Sequence, residues 1–232
     1  MEKIDPSSSM ERLQSGVACI DSVMGGGLEP GVITEFYGEG GSGKSNLAMI
    51  FSVAAIKLGK TAIYMDTEGF SGDRFMQICG SDHGLAENMQ LFRISSLDDQ
   101  ELSIMRIGKN LEKMKNPGIL VVDSFTEFFR LEKSNEYNSR INGIQRQLSL
   151  LSGIALKFSI PVLLTNQIYM DVDSKNLQPF GGFIIDHVMK SIIRLEKDGE
   201  GVRKIRIIKH RSVPEGKESR FRIVEYGVIC EG

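Results

Sequence analysis

The chain has 232 residues, of which 41% are hydrophobic and 25% are charged, and it contains 6 prolines. These values are typical of globular proteins, so they exclude a disordered or collagen-like chain and allow one α/β domain with a sizeable buried core. The 28 Lys and Arg residues against 30 Asp and Glu residues give a net charge of -2, which by itself neither indicates nor excludes a nucleic-acid partner.

The first half of the chain alternates between strand-like and helix-like segments. Residues 32–37 are rich in β-branched and aromatic residues and end at a glycine cluster, after which apolar residues fall at helical spacing as far as Leu58. The sequence next predicts a strand at 61–65, a short helix at about 73–79, a strand at 89–93 and a helix at about 98–114. Repeated strand and helix units of this kind predict parallel strands joined by helices.

The second half starts with an Asn-Pro-Gly break at 116–118, followed by the fully apolar residues 119–122, which predict a buried strand. A helix is predicted at about 141–157 and another buried strand at 161–165. Residues 204–209 and 220–229 then have strand patterns with no helix between them. The predicted fold is therefore α/β, a mainly parallel sheet with helices on both faces and an antiparallel C-terminal extension, with residues 1–232 in a single domain.

Cysteine content and hydropathy indicate the cellular setting. Cys19, Cys79 and Cys230 are odd in number and far apart, with no CxxC spacing, so neither a disulfide scaffold nor a zinc site is predicted. No apolar run is long enough to cross a bilayer, and the first ten residues are polar. We therefore expect a soluble, cytoplasmic protein with no membrane partner.

The glycine cluster carries the strongest chemical signal. It satisfies the pattern GxxxxGK[ST] between a predicted strand and a predicted helix, with the residues Gly38, Glu39, Gly40, Gly41, Ser42, Gly43, Lys44 and Ser45. In such a loop the backbone amides point at phosphate oxygens, and the helix N-terminus adds partial positive charge. Lys44 then binds the β- and γ-phosphates, and the Ser45 hydroxyl binds Mg²⁺.

Polar side chains at three other predicted strand ends fit around a nucleoside triphosphate. Asp123 follows the apolar strand at 119–122 and suits a residue that supports Mg²⁺, the alternative being an Asp that only caps a turn. Glu68 follows a neighbouring strand and can activate the attacking water, although in isolation a surface role explains it equally well. The amide of Gln167 can couple the nucleotide to a following loop.

Together these segments resemble the RecA-like ATPase core of archaeal and eukaryotic recombinases. Residues 38–45, 66–69, 121–124 and 165–167 occur in the family's order, and the resemblance runs from about residue 13 to the C-terminus. The phosphate loop starts at Gly38, which leaves no room for the recombinases' N-terminal helical DNA-binding domain or their polymerisation linker. This arrangement is most similar to the short archaeal paralogues of the recombinase RadA.

The resemblance implies an ATP-binding and DNA-binding accessory protein of homologous recombination and DNA repair. It implies Mg²⁺, at most weak ATP hydrolysis, and binding of single-stranded or branched DNA without sequence specificity. It further implies two protein partners, RadA and a Holliday-junction resolvase. The protein would then modulate the activity of the recombinase and the processing of branched DNA. Without the polymerisation linker, long filaments like those of RadA are not expected.

Residue roles also follow from the resemblance. Lys44, Glu68 and Gln167 correspond to catalytic residues, with Gln167 sensing the γ-phosphate. Arg74 matches an arginine that stacks on adenine, although by itself it is only an Arg at a helix start. Lys209 and Arg211 lie two apart on a predicted strand and resemble cations that reach the nucleotide of a neighbouring protomer. They allow a homo-oligomer that assembles through the nucleotide interface.

DNA contacts have the weakest sequence signal. The family's two DNA loops correspond to residues 127–140 and 170–182, whose cations are Arg130, Lys133, Arg140 and Lys175. Acidic residues in the same loops dilute this charge, which predicts weak and salt-sensitive binding. Residues 189–222, with 11 Lys and Arg against 5 acidic residues, are a second candidate surface.

The alternative function is a KaiC-like ATPase, in which nucleotide controls oligomerisation or a protein partner and DNA has no role.

Overall fold

The structure is a computed structural model that describes residues 11–131, 137–170, 177–179 and 188–231. The helices are α1 (Ala18–Val23), α2 (Lys44–Lys57), α3 (Gly72–Cys79), α4 (Leu97–Leu111), α5 (Glu127–Leu131) and α6 (Tyr137–Phe158), with a short 3₁₀ helix at His83–Asn88. The strands are β1 (Ile33–Gly38), β2 (Thr61–Asp66), β3 (Met89–Arg93), β4 (Pro117–Asp123), β5 (Val162–Met170), β6 (Leu177–Pro179), β7 (Ser191–Lys197), β8 (Val202–His210), β9 (Glu218–Val224) and β10 (Gly227–Glu231).

The sheet confirms the predicted class. Its strand order is β10-β9-β8-β7-β1-β5-β4-β2-β3, and the short β6 pairs with β5. The six strands from β7 to β3 in this order are parallel, whereas β8, β9 and β10 extend the β7 edge in antiparallel pairs. This is a RecA-like arrangement with the predicted antiparallel extension. The carboxyl ends of β1, β2, β4 and β5 consequently meet at one edge of the sheet, where ligands of open α/β sheets bind.

Two apolar clusters cover the two faces of the sheet. Alternate residues of β4 point to opposite faces, so that Ile119 belongs to the cluster under α2 and α3, and Leu120 to the cluster under α4 and α6. Both of these side chains are fully buried. Parallel strands buried on both faces explain why the sequence of β4 is apolar without alternation.

The C-terminal strands differ from their prediction. Residues 220–229 form two strands, β9 and β10, with a turn at Glu225 and Tyr226 that Gly227 closes at φ 138°. The sequence analysis also did not predict β7, which pairs with β1 inside the sheet. Apolar and charged residues alternate only from Ile193 to Glu196 of β7, which is a short signal for a strand.

Cys19 and Cys230 form a disulfide, which the number and spacing of the cysteines did not predict. The bond joins α1 to β10 with a Cα–Cα distance of 5.6 Å across 211 residues of sequence. Cys79 is a buried free thiol. Spacing along the chain does not reveal this pair because only the completed sheet brings the two residues together. Within the described ranges, no helix has the length and apolar character needed to span a membrane.

Candidate functional site

The glycine-rich loop connects the end of β1 to the start of α2. Gly43, the N-cap residue of α2, has φ 102°, a left-handed conformation that favours glycine. None of the described side chains caps this 14-residue helix, so its first amides remain as donors for another group. Gly38 approaches β7 so closely that a Cβ atom there would lie 2.0 Å from the Leu195 carbonyl oxygen. Both glycines are required by the path of the backbone.

Lys44 turns back onto the loop that precedes it. Its Nζ donates to the carbonyl oxygens of Gly38 and Glu39, each at 2.9 Å. The residue is only 7% exposed, and burial lowers the pKa of Lys44, although the nearby carboxylates of Glu68, Asp123 and Glu39 oppose this effect. The ammonium group is thus held inside the loop at the position from which it can neutralise phosphate charge.

Asp123, the last residue of β4, is held by a buried set of hydroxyl groups. Tyr64 Oη donates to Asp123 Oδ2 at 2.5 Å, and Thr165 Oγ1 donates to Oδ1. The Ser45 side chain also acts to lower the pKa of this carboxylate, so the two residues predicted to serve the metal are near each other. Burial raises the pKa of Asp123, and Thr165, Tyr64 and Ser45 oppose the rise.

The loop after β2 presents Glu68 to solvent from a fixed backbone. Asp66 Oδ1 accepts from the Gly69 amide at 2.8 Å and the Glu68 amide at 3.3 Å, and Oδ2 accepts from the Phe70 amide at 2.7 Å. These bonds from one carboxylate to three successive amides fix the turn. Asp66 is therefore the residue that positions Glu68, a role that the sequence analysis did not assign.

Glu68 contacts Gln167, a residue of β5 that was predicted to sense the γ-phosphate. Gln167 Nε2 lies 3.1 Å from each carboxylate oxygen of Glu68. Gln167 Oε1 in turn accepts from Arg130 Nη1 at 3.4 Å. The sheet register places Gly38 directly opposite Gln167 and Asp66 directly opposite Asp123. The four predicted strand ends therefore converge on one site.

The described residues fit a Mg²⁺ nucleotide. The Ser42 hydroxyl is buried inside the glycine loop and has no hydrogen-bond partner among the described residues, so it is available to a phosphate oxygen. The unfilled amides of α2 favour the same anion. Mg²⁺ usually takes one or two protein oxygen ligands together with substrate phosphates and water, and Ser45 beside Asp123 provides this donor set.

Arg74 occupies a position between three elements. Its guanidinium donates to Asn46 Oδ1 at 2.6 Å on α2, and to Gln77 Oε1 at 3.0 Å on its own helix. It also donates to the carbonyl oxygen of Glu225 in the turn after β9, at 2.7 Å, and to that of Gly227, the first residue of β10, at 2.9 Å. Four N–H groups of the guanidinium are thereby engaged, and its predicted stacking on adenine stays a prediction.

Lys209 and Arg211 lie near the amino ends of the parallel strands, whereas the glycine loop of their own chain lies at the carboxyl ends. Lys209 pairs with Ile192 near the start of β7, whereas Gly38 pairs with Leu195 near its end. Arg211 forms an ion pair with Glu29, which also lies 3.6 Å from Arg12. Neither strand pairing places them beside the glycine loop of their own chain, so their predicted role at the nucleotide of another protomer stays a prediction.

The predicted DNA-contacting cations are only partly described. Arg130 forms an ion pair with Glu127 at 2.5 Å besides its contact to Gln167, and Arg140 is partly buried in the first turn of α6. Lys133 and Lys175 lie outside the described residues. In the basic C-terminal region, salt bridges lower the effective charge, with the pairs Arg194–Glu196, Lys204–Glu196, Arg220–Asp198 and Arg222–Glu231.

Two further cations contact the glycine loop and were not predicted. Arg203 Nε donates to the Gly41 carbonyl oxygen at 2.8 Å, and Lys197 lies 3.8 Å from the Glu39 carboxylate. These residues are paired across β7 and β8, more than 150 positions after the loop in sequence. No local motif connects them with the loop, so only the pairing of β7 with β1 identifies them.

Comparison with known proteins is consistent with this geometry. The family model described as Rad51 matches residues 7–231. The chain is 52% identical to the DNA repair and recombination protein RadB of Thermoplasma acidophilum over 100% of both chains. It is 38% identical to the protein of the same name from Archaeoglobus fulgidus, over 93% of this chain and 97% of the relative. A crystal structure of the RadB recombinase superposes with a TM-score of 0.82 at 33% identity, covering 95% of this chain and 100% of that one.

Proposed function

This chain belongs to the Rad51 family and, within it, to the archaeal RadB group, and from that premise we propose that it is an ATP-binding accessory protein of DNA repair by homologous recombination. The observation that carries the proposal is the convergence of Gly38, Asp66, Asp123 and Gln167 at one edge of the sheet. The site combines a glycine loop, a buried Asp and an exposed Glu with an amide partner. These are the groups that binding and hydrolysis of a nucleoside triphosphate require.

The proposed reaction is slow hydrolysis of ATP to ADP and phosphate. The amides of residues 38–45 and Lys44 Nζ bind the phosphates, for which the lysine must exchange its bonds to the Gly38 and Glu39 carbonyl oxygens. Glu68 takes a proton from the water that attacks the terminal phosphorus, and the bond to the ADP oxygen breaks. Mg²⁺, which Ser45 and Asp123 would hold, neutralises charge on the phosphates when it is bound.

We further propose that Arg74 stacks on the adenine and that Gln167 senses the terminal phosphate. Arg74 is anchored by residues of α2 and by the turn before β10, which would keep its planar face beside the glycine loop. Lys209 and Arg211 would contact the nucleotide of a second protomer in an assembly through the nucleotide interface. An isolated protomer lacks this contribution, which is consistent with weak hydrolysis because a trans-acting cation of this kind contributes roughly 10³-fold or more.

The proposed ligand besides ATP is DNA, in single-stranded or branched form and without sequence specificity. The support is the family membership together with cations in the two loop regions, Arg130, Lys133, Arg140 and Lys175. RadA and a Holliday-junction resolvase are the proposed protein partners. In this role the protein binds DNA while its nucleotide state adjusts the activity of the main recombinase and the processing of branched DNA.

The second candidate is a KaiC-like ATPase that acts on oligomerisation or a protein partner without DNA. It is favoured by the ion pairs that engage Arg194, Lys204, Arg220 and Arg222, since a cation already paired contributes less to phosphate binding. The two candidates share the nucleotide site and differ only in their partner.

Binding to labelled single-stranded DNA across a salt series, with and without Mg²⁺-ATP, tests the proposal. We expect salt-sensitive binding that responds to ATP, because phosphate contacts release counterions. Lys44→Ala should abolish the response to ATP while leaving nucleotide-independent DNA binding in place. Intact ATP binding without any DNA binding at low salt would favour the KaiC-like candidate.

A further inference from the structure

Arg130 joins α5, the helix after β4, to Gln167 on β5. The preceding residue, Phe129, is fully buried and anchors α5 on the core. Arg130 Nη2 binds Glu127 Oε2 at 2.5 Å, and Nη1 donates to Gln167 Oε1 at 3.4 Å. The Arg130 side chain is 26% exposed, so it lies largely against the protein. Its guanidinium is directed at the nucleotide site as well as at its helix neighbour.

Arg130 and Glu68 hold opposite ends of the Gln167 amide. An amide has a donor end and an acceptor end, and a carboxylate can only accept. With Oε1 bound to Arg130, Nε2 faces both oxygens of Glu68 at 3.1 Å. Without the arginine, the amide is no longer held at its oxygen and can swing away from the carboxylate. Glu68 would then lose the donor that holds it.

We propose that Arg130 is a positioning residue for ATP hydrolysis, which acts through Gln167 to orient Glu68. The inference rests on the proposed function, because it needs Glu68 to be the base. Arg130 itself makes no contact with the reacting atoms in this scheme. It also differs from the role of Arg130 as a DNA contact, since positioning operates when no DNA is present.

Steady-state and single-turnover ATP hydrolysis without DNA tests the inference. The variants are Arg130→Ala, Arg130→Lys, Gln167→Ala and the double variant Arg130→Ala with Gln167→Ala. Arg146→Ala serves as the matched control, because Arg146 also pairs with a glutamate, Glu101, but on the exposed surface between α4 and α6. Thermal unfolding of each variant measures stability in parallel.

We expect Arg130→Ala to lower kcat by roughly 10-fold and to change KM by less than about 2-fold, since misplaced catalytic groups reduce turnover more than binding. Arg130→Lys should restore part of kcat, because an ammonium group can still donate to Gln167 Oε1. The double variant should be no slower than Gln167→Ala alone, as expected for two residues that act in series. The Arg146→Ala control should keep the original kcat.

The outcomes separate failure of the inference from failure of the proposed function. An unchanged kcat in Arg130→Ala, or additive losses in the double variant, would overturn the inference if Glu68→Gln still abolishes hydrolysis. Unchanged hydrolysis in Glu68→Gln, or no hydrolysis by the unsubstituted protein, would overturn both. A loss of kcat in Arg130→Ala that appears only with DNA would support the DNA-contact role and reject positioning. If Arg130→Ala does not fold, Arg130→Gln takes its place in the same cycle.

Discussion

Tyr64 on β2 donates its hydroxyl to the Asp123 carboxylate on β4, at 2.5 Å and in a buried environment. The two residues belong to neighbouring parallel strands. The pairing of β2 with β4 places the Tyr64 hydroxyl at the carboxylate that is predicted to support the metal. Burial together with the Asp123 charge raises the pKa of Tyr64, so the phenol remains protonated and keeps its proton for this bond. Asp123 is therefore oriented toward Ser45 by groups deeper in the sheet.

Tyr64→Phe should destabilise the protein. The substitution removes one donor from a buried carboxylate and leaves the rest of the aromatic ring in place, which costs about 1–3 kcal/mol in unfolding free energy. Urea unfolding measures the change. Tyr226→Phe is the control, because Tyr226 is 69% exposed and its hydroxyl should contribute within about 0.5 kcal/mol. Equal stability of the two variants would show that the Tyr64 bond contributes little.

Asp123→Asn should stabilise the protein at neutral pH. Because burial raises the pKa of Asp123 in the folded state, the folded protein binds this proton more tightly than the unfolded chain, whose value is about 3.8. The charged carboxylate therefore lowers stability above the folded-state pKa, and this cost disappears as the pH falls toward 3.8. The difference in unfolding free energy between Asp123→Asn and the original protein should shrink over that range. A difference independent of pH would contradict the prediction.

The same Asp123→Asn variant should weaken Mg²⁺-dependent ATP binding. The amide cannot supply the negative charge that supports the metal, and loss of such an outer ligand commonly costs about 10-fold in metal affinity. Titration of ATP with a fluorescent analogue at several Mg²⁺ concentrations measures the effect. Binding without Mg²⁺ should change little, and an equal loss with and without the metal would instead indicate damage to the glycine loop.

The Cys19–Cys230 disulfide should be a major contributor to stability. It closes a loop of 211 residues, and a bond of this kind restricts the unfolded chain, typically by about 2–4 kcal/mol. Reduction with a thiol reagent, or Cys19→Ser, should lower the urea midpoint by a corresponding amount. Under denaturing conditions without reductant, one titratable thiol is expected, from Cys79, and three after reduction. Three thiols without reductant would show that the bond is absent.

Arg211→Ala should leave ATP binding by a single protomer unchanged but reduce hydrolysis at high protein concentration. Arg211 lies near the amino end of β7, away from its own glycine loop, so we expect it to act on the site of a neighbouring protomer. The specific hydrolysis rate of the original protein should rise with concentration, and this rise should be lost in the variant. Arg106→Ala, on the exposed side of α4, provides the control. A concentration-independent rate in the original protein would argue against assembly through the nucleotide site.

Local sequence patterns determined most of the fold and the identity of the site. Apolar runs, helical spacing and glycine breaks predicted the parallel strands β1 to β5, because these signals arise from residues that are neighbours in the chain. The glycine loop has a backbone requirement that few sequences satisfy, and strand ends of parallel units must meet at one edge. For this reason the sequence placed Lys44 and Asp123 at one predicted site, whereas the roles of Glu68 and Gln167 there depended on the resemblance to the recombinases.

Only the tertiary structure decided how distant segments complete that site. Pairing of β7 with β1 brings Arg203 to the glycine loop, and formation of β10 beside α1 joins Cys19 to Cys230. The direction of the Arg130 side chain, toward Gln167, likewise depends on how α5 packs after β4. These contacts cross large sequence separations, so no periodicity records them. They form because burying both faces of the sheet fixes strand order and register, which in turn fixes which side chains meet.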